Sequence, residues 1–271
     1  MQIIFEHAIP FILVLFRLAG LFIVSPLLSS TAIPMRFKFL ITMMLAAVIY
    51  PVLPRELQTP PTMDVGVLLP MVVAEALIGF VLGTLASVPL LCLEASGTLM
   101  GQQMGFGLAR VYNPEMDAEV DLIGQLMFWL GFGGFLAMGG LGQLIGAIVY
   151  TFQRVPIGGG SLIVAPLDGF ASLLQSGLEL SLRVSAPVTA IVLLLVIVFA
   201  VIGKTMPQMN VMNIAFTFKV AAGVGIIALS TFSIATAAGD EMSRAMRFAN
   251  RWVSELEPRR TVLMEVPHTA N

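Results

Sequence analysis

Charge is scarce in this sequence. Charged side chains account for 11% of its 271 residues, whereas a soluble domain carries about 25%. Hydrophobic residues account for 58%, and the mean hydropathy is +0.95. This composition excludes an ordinary soluble domain and indicates an integral membrane protein. The net charge of −2 provides no basic surface for nucleic acid, so we expect no nucleic-acid partner.

Residues typical of catalytic and metal sites are also scarce. Cys92 is the single cysteine, so it cannot form an internal disulfide. It lies in an apolar run and is expected to act as a small buried hydrophobe. His7 and His268 lie at opposite ends of the chain, without the spacing of metal ligands. No Walker motif is present, so the chain does not itself hydrolyse nucleotide. We therefore expect no enzymatic activity, no cofactor and no metal.

Long apolar runs are abundant. Six of them lie at roughly 8–28, 37–53, 65–93, 123–150, 184–203 and 211–236. A helix needs about 20 apolar residues to span a bilayer, so most segments qualify and the second is marginal. Arg17 interrupts the first segment, which is unlike a signal peptide and is expected to be retained. The pattern predicts an all-α, polytopic membrane protein of about six hydrophobic segments.

Two regions depart from plain spanning helices. Seven glycines lie between positions 131 and 146 in the fourth segment, and each weakens a helix by roughly 1 kcal/mol. We therefore expect the fourth segment to be bent or broken and packed closely against other helices. Apolar residues from 167 to 182 recur at helical spacing and predict an amphipathic or re-entrant helix.

The C-terminal region differs from the rest in charge pattern. From Asp240 to Leu256, apolar residues recur at three- and four-residue steps beside a basic stripe, which predicts an amphipathic helix. It could bind a membrane surface or a partner, or it could be a solubilising terminus. We therefore divide the chain into a membrane domain at 1–240 and an amphipathic helix with a polar tail at 241–271.

Several charges lie inside or at the ends of the apolar segments, namely Arg17, Glu75, Arg183, Lys204 and Lys219. A charge at the bilayer centre costs at least about 2.5 kcal/mol, so each must face protein, water or an interface. Glu75 and Lys219 lie deepest. One hypothesis is that they pair or hydrogen-bond to partner backbone and hold segments in register. The other, an ion or proton pathway, is weaker because no series of acids and histidines lines one face.

A polar, glycine-rich interruption lies between the third and fourth segments. It runs from Gly101 through Gln103, Met104 and Phe106 to Arg110, and Asn113-Pro114 follow. Unpaired backbone polar groups cannot face lipid, so such a break must sit in a protein interior, beside a water-filled path or outside the bilayer.

Three motifs together resemble the FliR/SctT family, the export-gate subunits of flagellar and related type III secretion systems. They are Arg17-Leu18-Ala19-Gly20 with Pro26 and Ile33-Pro34-Met35-Arg36; Glu75, Gly79 and Gly83 leading to Gln102-Gln103-Met104-Gly105-Phe106-Gly107; and Lys204-Thr205-Met206-Pro207-Gln208-Met209-Asn210-Val211 with Phe218-Lys219 and Gly223. Their order and spacing cover residues from about 10 to 225. The third motif is closer to the flagellar branch than to the virulence branch.

The resemblance implies bent helical hairpins packed into a multi-subunit gate in the bacterial inner membrane, at the flagellar basal body. FliP-like and FliQ-like subunits would be direct partners, with FlhB-like and FlhA-like export proteins beyond them. The gate would pass unfolded secreted chains without catalysis. The residues implied to matter for assembly are Arg17, Glu75, Lys204, Pro207, Gln208, Asn210 and Lys219.

The resemblance also implies a loop that plugs the channel, corresponding to about Gly105–Gly124. We refer to this stretch as the plug. The predicted gate residues include the two that precede this stretch in the motif. They are Gln103, Met104, Gly105, Phe106, Gly107, Asn113 and Pro114. Glycine gives the backbone freedom that a movable loop needs, and Met and Phe can close a narrow path by apolar contact. Without the resemblance, a re-entrant packing loop would be the preferred interpretation.

Other functions remain open from the sequence alone. A small-solute transporter or permease subunit predicts inverted repeats and a polar midplane site, and no convincing internal repeat is present. A virulence-type secretion gate subunit and a pure assembly scaffold are further alternatives. Neighbouring genes resembling fliP, fliQ and flhB would favour the export gate.

Overall fold

The computed structural model describes residues 2–25, 34–54, 65–106, 121–158, 167–206, 208 and 211–255. Every regular element within these ranges is helical. The elements are α1 (Gln2–Val24), α2 (Met35–Ile49) with a 3-10 turn (Tyr50–Val52), α3 (Val65–Met104), α4 (Leu122–Ala137), α5 (Gly140–Arg154), α6 (Leu167–Thr205) and α7 (Val211–Glu255). Five helices are long and apolar enough to cross a membrane, or six if α4 and α5 count as one span. The predicted all-α polytopic architecture is therefore confirmed.

Helix α3 forms the centre of the molecule, and α1, α4, α6 and α7 all pack against it. Its contact with α1 is backbone to backbone, because glycines face the neighbouring helix. A β-carbon on Gly79 would overlap the carbonyl oxygen of Arg17, and one on Gly20 would overlap that of Ala76. Small residues are what allows membrane helices to approach so closely.

The fourth apolar segment is broken, as predicted. Helices α4 and α5 meet at 67°, and Gly139 between them has a left-handed φ of 70°. The Gly139 amide donates to the Leu136 carbonyl at 3.0 Å, and the Gly139 carbonyl accepts from Gln143 at 3.1 Å. A residue with a side chain pays roughly 1–2 kcal/mol in this conformation, so glycine permits the bend.

Three helices are longer than the apolar segments predicted. Helix α3 continues past position 93 to Met104, and α7 continues past position 236 to Glu255. The helix expected at 167–182 is not separate, since α6 runs unbroken from Leu167 to Thr205. A hydropathy pattern ends where polar residues begin, whereas helical hydrogen bonds continue as long as one face stays packed.

The apolar face of the C-terminal region lies in the protein core. The predicted amphipathic helix forms the last part of α7, and its buried residues include Met242, Met246 and Trp252. They belong to the same core cluster as Leu18 of α1 and Leu85 of α3. This face is therefore covered by the chain itself and is not left for a membrane surface or a partner.

Candidate functional site

Helix α3 ends inside the polar stretch that begins at Gly101. Residues 101–104 are helical, and Gly105 has a left-handed φ of 101°. The Phe106 amide donates to the Gly101 carbonyl and the Gly105 amide to the Gln102 carbonyl, both at 3.1 Å. This is the Schellman arrangement that closes many helices. The expected break at Gly101 is thus wrong by four residues, because Gln and Met are good helix formers.

The end of α3 packs against α7. Met104 is completely buried and lies against Gly223, while Phe106 meets Phe216 edge to face with ring centroids 6.4 Å apart. The Gly105 backbone also faces the Phe216 ring. Of the predicted gate residues, Gly107, Asn113 and Pro114 lie outside the described residues.

The start of α4 meets α3 at the same end of the molecule. Asp121 caps α4 by accepting a hydrogen bond from the Gly124 amide at 3.1 Å. Its other carboxylate oxygen, Oδ2, and Oε1 of Gln103 are buried without a hydrogen-bond partner. A buried, unpaired acceptor costs about 1–3 kcal/mol, so both oxygens would gain from a donor supplied from elsewhere.

A second polar site lies in the core between α1, α3 and α5. Arg17 and Glu75 are both fully buried and form an ion pair through Arg17 Nε and Glu75 Oε2. Arg17 also donates to Thr151 Oγ1 at 3.0 Å and to the Val155 carbonyl at 3.3 Å. The Gly158 amide donates to Glu75 Oε1 at 2.9 Å. Both charges are therefore neutralised and hydrogen-bonded, as buried ions require.

This network bears on the hypothesis that Glu75 and Lys219 pair and hold segments in register. It corrects the pairing and supports the register role. The partner of Glu75 is Arg17, not Lys219, which is half-buried in α7 with no hydrogen-bond or ion-pair partner among the described residues. The role of holding segments in register fits Glu75, since its contacts join α3 to α1 and to the turn after α5. The guanidinium also lies 4.1 Å from the centre of the Phe152 ring.

Sequence reasoning missed the partners contributed by α5 and the turn after it. Thr151 lies just beyond the predicted fourth segment, and a hydroxyl at the edge of an apolar run is only a weak signal. Val155 and Gly158 contribute backbone groups, which no side-chain pattern reveals.

Of the remaining predicted assembly residues, Lys204 lies in the last turn of α6 and Gln208 lies between α6 and α7. Lys204 and Gln208 are exposed, as expected for a charge and an amide at the end of an apolar hairpin. Pro207 and Asn210 lie outside the described residues.

A polar groove of about 240 Å³ separates α6 from α7 at the far end of the same hairpin. Glu241 is buried there and accepts hydrogen bonds from Ser176 and, at 3.3 Å, from Arg244. Glu179 and Arg183 form an exposed ion pair on the rim. In the part of the chain that the structure describes, no group of three His, Cys, Asp or Glu residues is arranged to hold a metal ion.

Comparison with known sequences gives a consistent result. Residues 8–245 match the family described as "Bacterial export proteins, family 1". The chain is 24% identical over 216 residues to the flagellar biosynthetic protein FliR of Bacillus subtilis (strain 168), covering 78% of this chain and 82% of that protein. With FliR of Escherichia coli (strain K12) the identity is 27% over 221 residues, covering 79% and 81%.

A relative from a different system also matches. The chain is 24% identical over 210 residues to the Yop proteins translocation protein T of Yersinia pestis, covering 76% of this chain and 80% of that protein.

Proposed function

Because this chain belongs to family 1 of the bacterial export proteins, we propose that it is a noncatalytic subunit of the flagellar type III protein export gate. In this role it helps to form and plug the channel through which unfolded flagellar proteins cross the bacterial inner membrane, as a multi-pass component of the basal body. The family match over residues 8–245 carries the proposal, and the FliR relatives favour the flagellar system.

The exposed apolar surface supports a role as one subunit of a larger assembly. Only 11% of the apolar, potentially membrane-spanning part of α6 is buried within the chain, and only 17% of that part of α7. Leu229 and Phe232 are 88% and 81% exposed. FliP-like and FliQ-like subunits and membrane lipid would cover these faces, and FlhB-like and FlhA-like proteins would join the complex.

The plug proposal is supported at its first residues. Gly105 ends α3 in a left-handed conformation, so the helix stops within the predicted gate motif. Gln103, Met104, Gly105 and Phe106, with Gly107, Asn113 and Pro114 beyond them, would position and form the closure. Lys204, Pro207, Gln208, Asn210 and Lys219 would contact partner subunits, while Arg17 and Glu75 hold the subunit together.

Secretion in the native organism tests the export function. Removing the gene should abolish release of flagellar proteins into the medium, and a plasmid copy should restore it, while the general secretory pathway is unchanged. Unaltered flagellar secretion in the deletion strain would overturn the proposal.

Leakage tests the plug. Deleting Gly105–Gly107 shortens the chain at the α3 end and should increase the passage of small solutes through assembled complexes in the membrane. Co-purification with partner subunits serves as the control for assembly. Unchanged permeability in a correctly assembled complex would contradict the plug and leave the export function standing.

A virulence-type secretion gate is the second candidate, favoured by the match to the Yersinia translocation protein. The same gene deletion separates the two, because loss of secreted effector proteins with intact motility would favour the virulence system.

A further inference from the structure

The contact between Met104 and Gly223 is very close. A β-carbon on Gly223 would lie 2.7 Å from Met104 Sδ and 2.9 Å from Cγ, with Cε closer still. Real carbon contacts do not reach such distances, so any side chain at position 223 must displace Met104. Met104 is completely buried, and protein interiors contain few voids, so its displacement disturbs the packing around it.

A second contact lies two turns earlier on α7. Phe216 meets the Phe106 ring edge to face, and a β-carbon on Gly105 would lie 3.2 Å from Phe216 Cδ2. The bulky ring therefore covers the glycine at which α3 ends. Edge-to-face aromatic pairs are favourable beyond their buried area, so this contact stabilises the observed orientation of Phe106.

Phe216 and Gly223 act on the same face of α7, because seven residues correspond to about two helical turns. We call these two residues the α7 seat. Gly223 provides the notch that receives Met104, and Phe216 provides the ring against which Gly105 and Phe106 rest. Together they contact the three consecutive residues at the end of α3, Met104–Phe106.

We propose that the α7 seat positions the end of α3, Met104–Phe106, at which the proposed plug begins. Phe216 and Gly223 are then gate-positioning residues, although they lie more than 100 residues from the end of α3 in sequence. This inference rests on the proposed gate function. A shift of α7 relative to α3 would move Met104 and Phe106 directly, so the plug would follow the position of the hairpin formed by α6 and α7.

Gly225 offers a matched control on the same helix. It is exposed, and a β-carbon there would meet no other atom within 4 Å. Gly223→Leu and Gly225→Leu make the same chemical change two residues apart, with the same gain in helix propensity. Only the first substitution forces Met104 out of its site.

Cysteine labelling measures the seat independently of gating. Phe106→Cys is introduced with Cys92→Ala, and the assembled complex in membrane vesicles is treated with a membrane-impermeant maleimide. We expect Gly223→Leu to raise the labelling rate of position 106 several-fold and Gly225→Leu to leave it unchanged. Equal labelling in the two variants would overturn the seat.

Leakage of a small dye from the same complexes, with Phe106 and Cys92 restored, measures the consequence for the gate. Gly223→Leu should increase leakage several-fold over Gly225→Leu. Gly223→Ala provides a milder variant if Gly223→Leu does not assemble with its partners.

The outcomes separate the two proposals. Leakage in the Gly105–Gly107 deletion but not in Gly223→Leu would overturn the seat and keep the plug. If neither variant leaks although both assemble, the plug itself is wrong, and the gate-positioning role falls with it. Labelling then still decides whether α7 holds the end of α3.

Discussion

At the scale of single residues, the Arg17–Glu75 pair has the clearest energetic role. Two charges that are fully excluded from water are tolerable only because each satisfies the other and both have further hydrogen bonds. Breaking such a pair leaves an uncompensated buried charge and costs about 3–5 kcal/mol, whereas removing both charges is often nearly neutral. The sequence identified both residues as inward-facing, and only their contact in the fold pairs them.

We expect Glu75→Gln to destabilise the protein strongly, because Arg17 would keep its charge and lose its counter-ion. The amount of folded protein in the membrane fraction and the thermal midpoint of the purified complex should both fall. Glu179→Gln is the matched control, since its partner Arg183 is 71% exposed and a surface pair contributes only about 0–1 kcal/mol.

The double variant Arg17→Met/Glu75→Met distinguishes a structural role from a conduction role. If the pair only stabilises the fold, the double variant should recover much of the stability that Glu75→Gln loses and should still support secretion. Stable, assembled protein without secretion would instead favour the ion or proton pathway.

At the scale of elements, the bend between α4 and α5 depends on one backbone conformation. Gly139 has open space around its α-carbon, so its identity is required by its φ of 70° and not by packing. Sequence reasoning predicted the break from the density of glycines. It could not predict which glycine carries the bend, because several of the seven simply occupy open helix surface.

Gly139→Ala should therefore destabilise the protein by roughly 1–2 kcal/mol through backbone strain alone. Gly146→Ala, in the interior of α5 and also in open space, should have the opposite sign and stabilise the helix by roughly 0.5–1 kcal/mol. Thermal midpoints of the two purified variants test this difference. Equal shifts would show that α4 and α5 do not depend on the left-handed glycine.

At the scale of the whole molecule, the length of the helices limits how the chain can sit in a bilayer. Helix α7 has 45 residues and is about 68 Å long at 1.5 Å per residue, roughly twice the hydrocarbon thickness of about 30 Å. Apart from Lys219, its charged residues, including Asp240, Glu241 and Arg244, lie in about the last third of the helix, beyond position 239. We expect this last third, with the polar groove against α6, to lie outside the hydrocarbon.

The chain purified alone should be poorly stable. The reason is the uncovered apolar surface of α2, α6 and α7, rather than unpaired buried charge, since Arg17 and Glu75 satisfy each other. Size-exclusion chromatography in detergent should show aggregation or loss that co-expression with FliP-like and FliQ-like subunits prevents. A monodisperse lone monomer with ordinary transmembrane topology would count against the gate.

Much of the candidate site was accessible from sequence as a set of residues, but not as contacts. The motif from Gln103 to Phe106 was identified from the sequence. The end of α3 was not, because the helix continues for about three turns beyond the apolar segment, as far as Met104. Phe216 was not identified, since an aromatic residue in an apolar helix has no distinguishing signal. The apolar face at Met242–Trp252 was predicted correctly, whereas what covers it depends on helices from the other end of the chain.

Composition and local periodicity by themselves determined an all-α membrane chain, the approximate positions of its helices and the broken fourth segment, because these depend on properties of neighbouring residues. Tertiary structure alone decided that Arg17 pairs with Glu75, that Gly223 receives Met104 and that α7 ends within the core. Each of these contacts joins helices far apart in sequence, with separations of 58–138 residues around Arg17 alone. Which helices meet at such separations is set by the packing of the complete bundle.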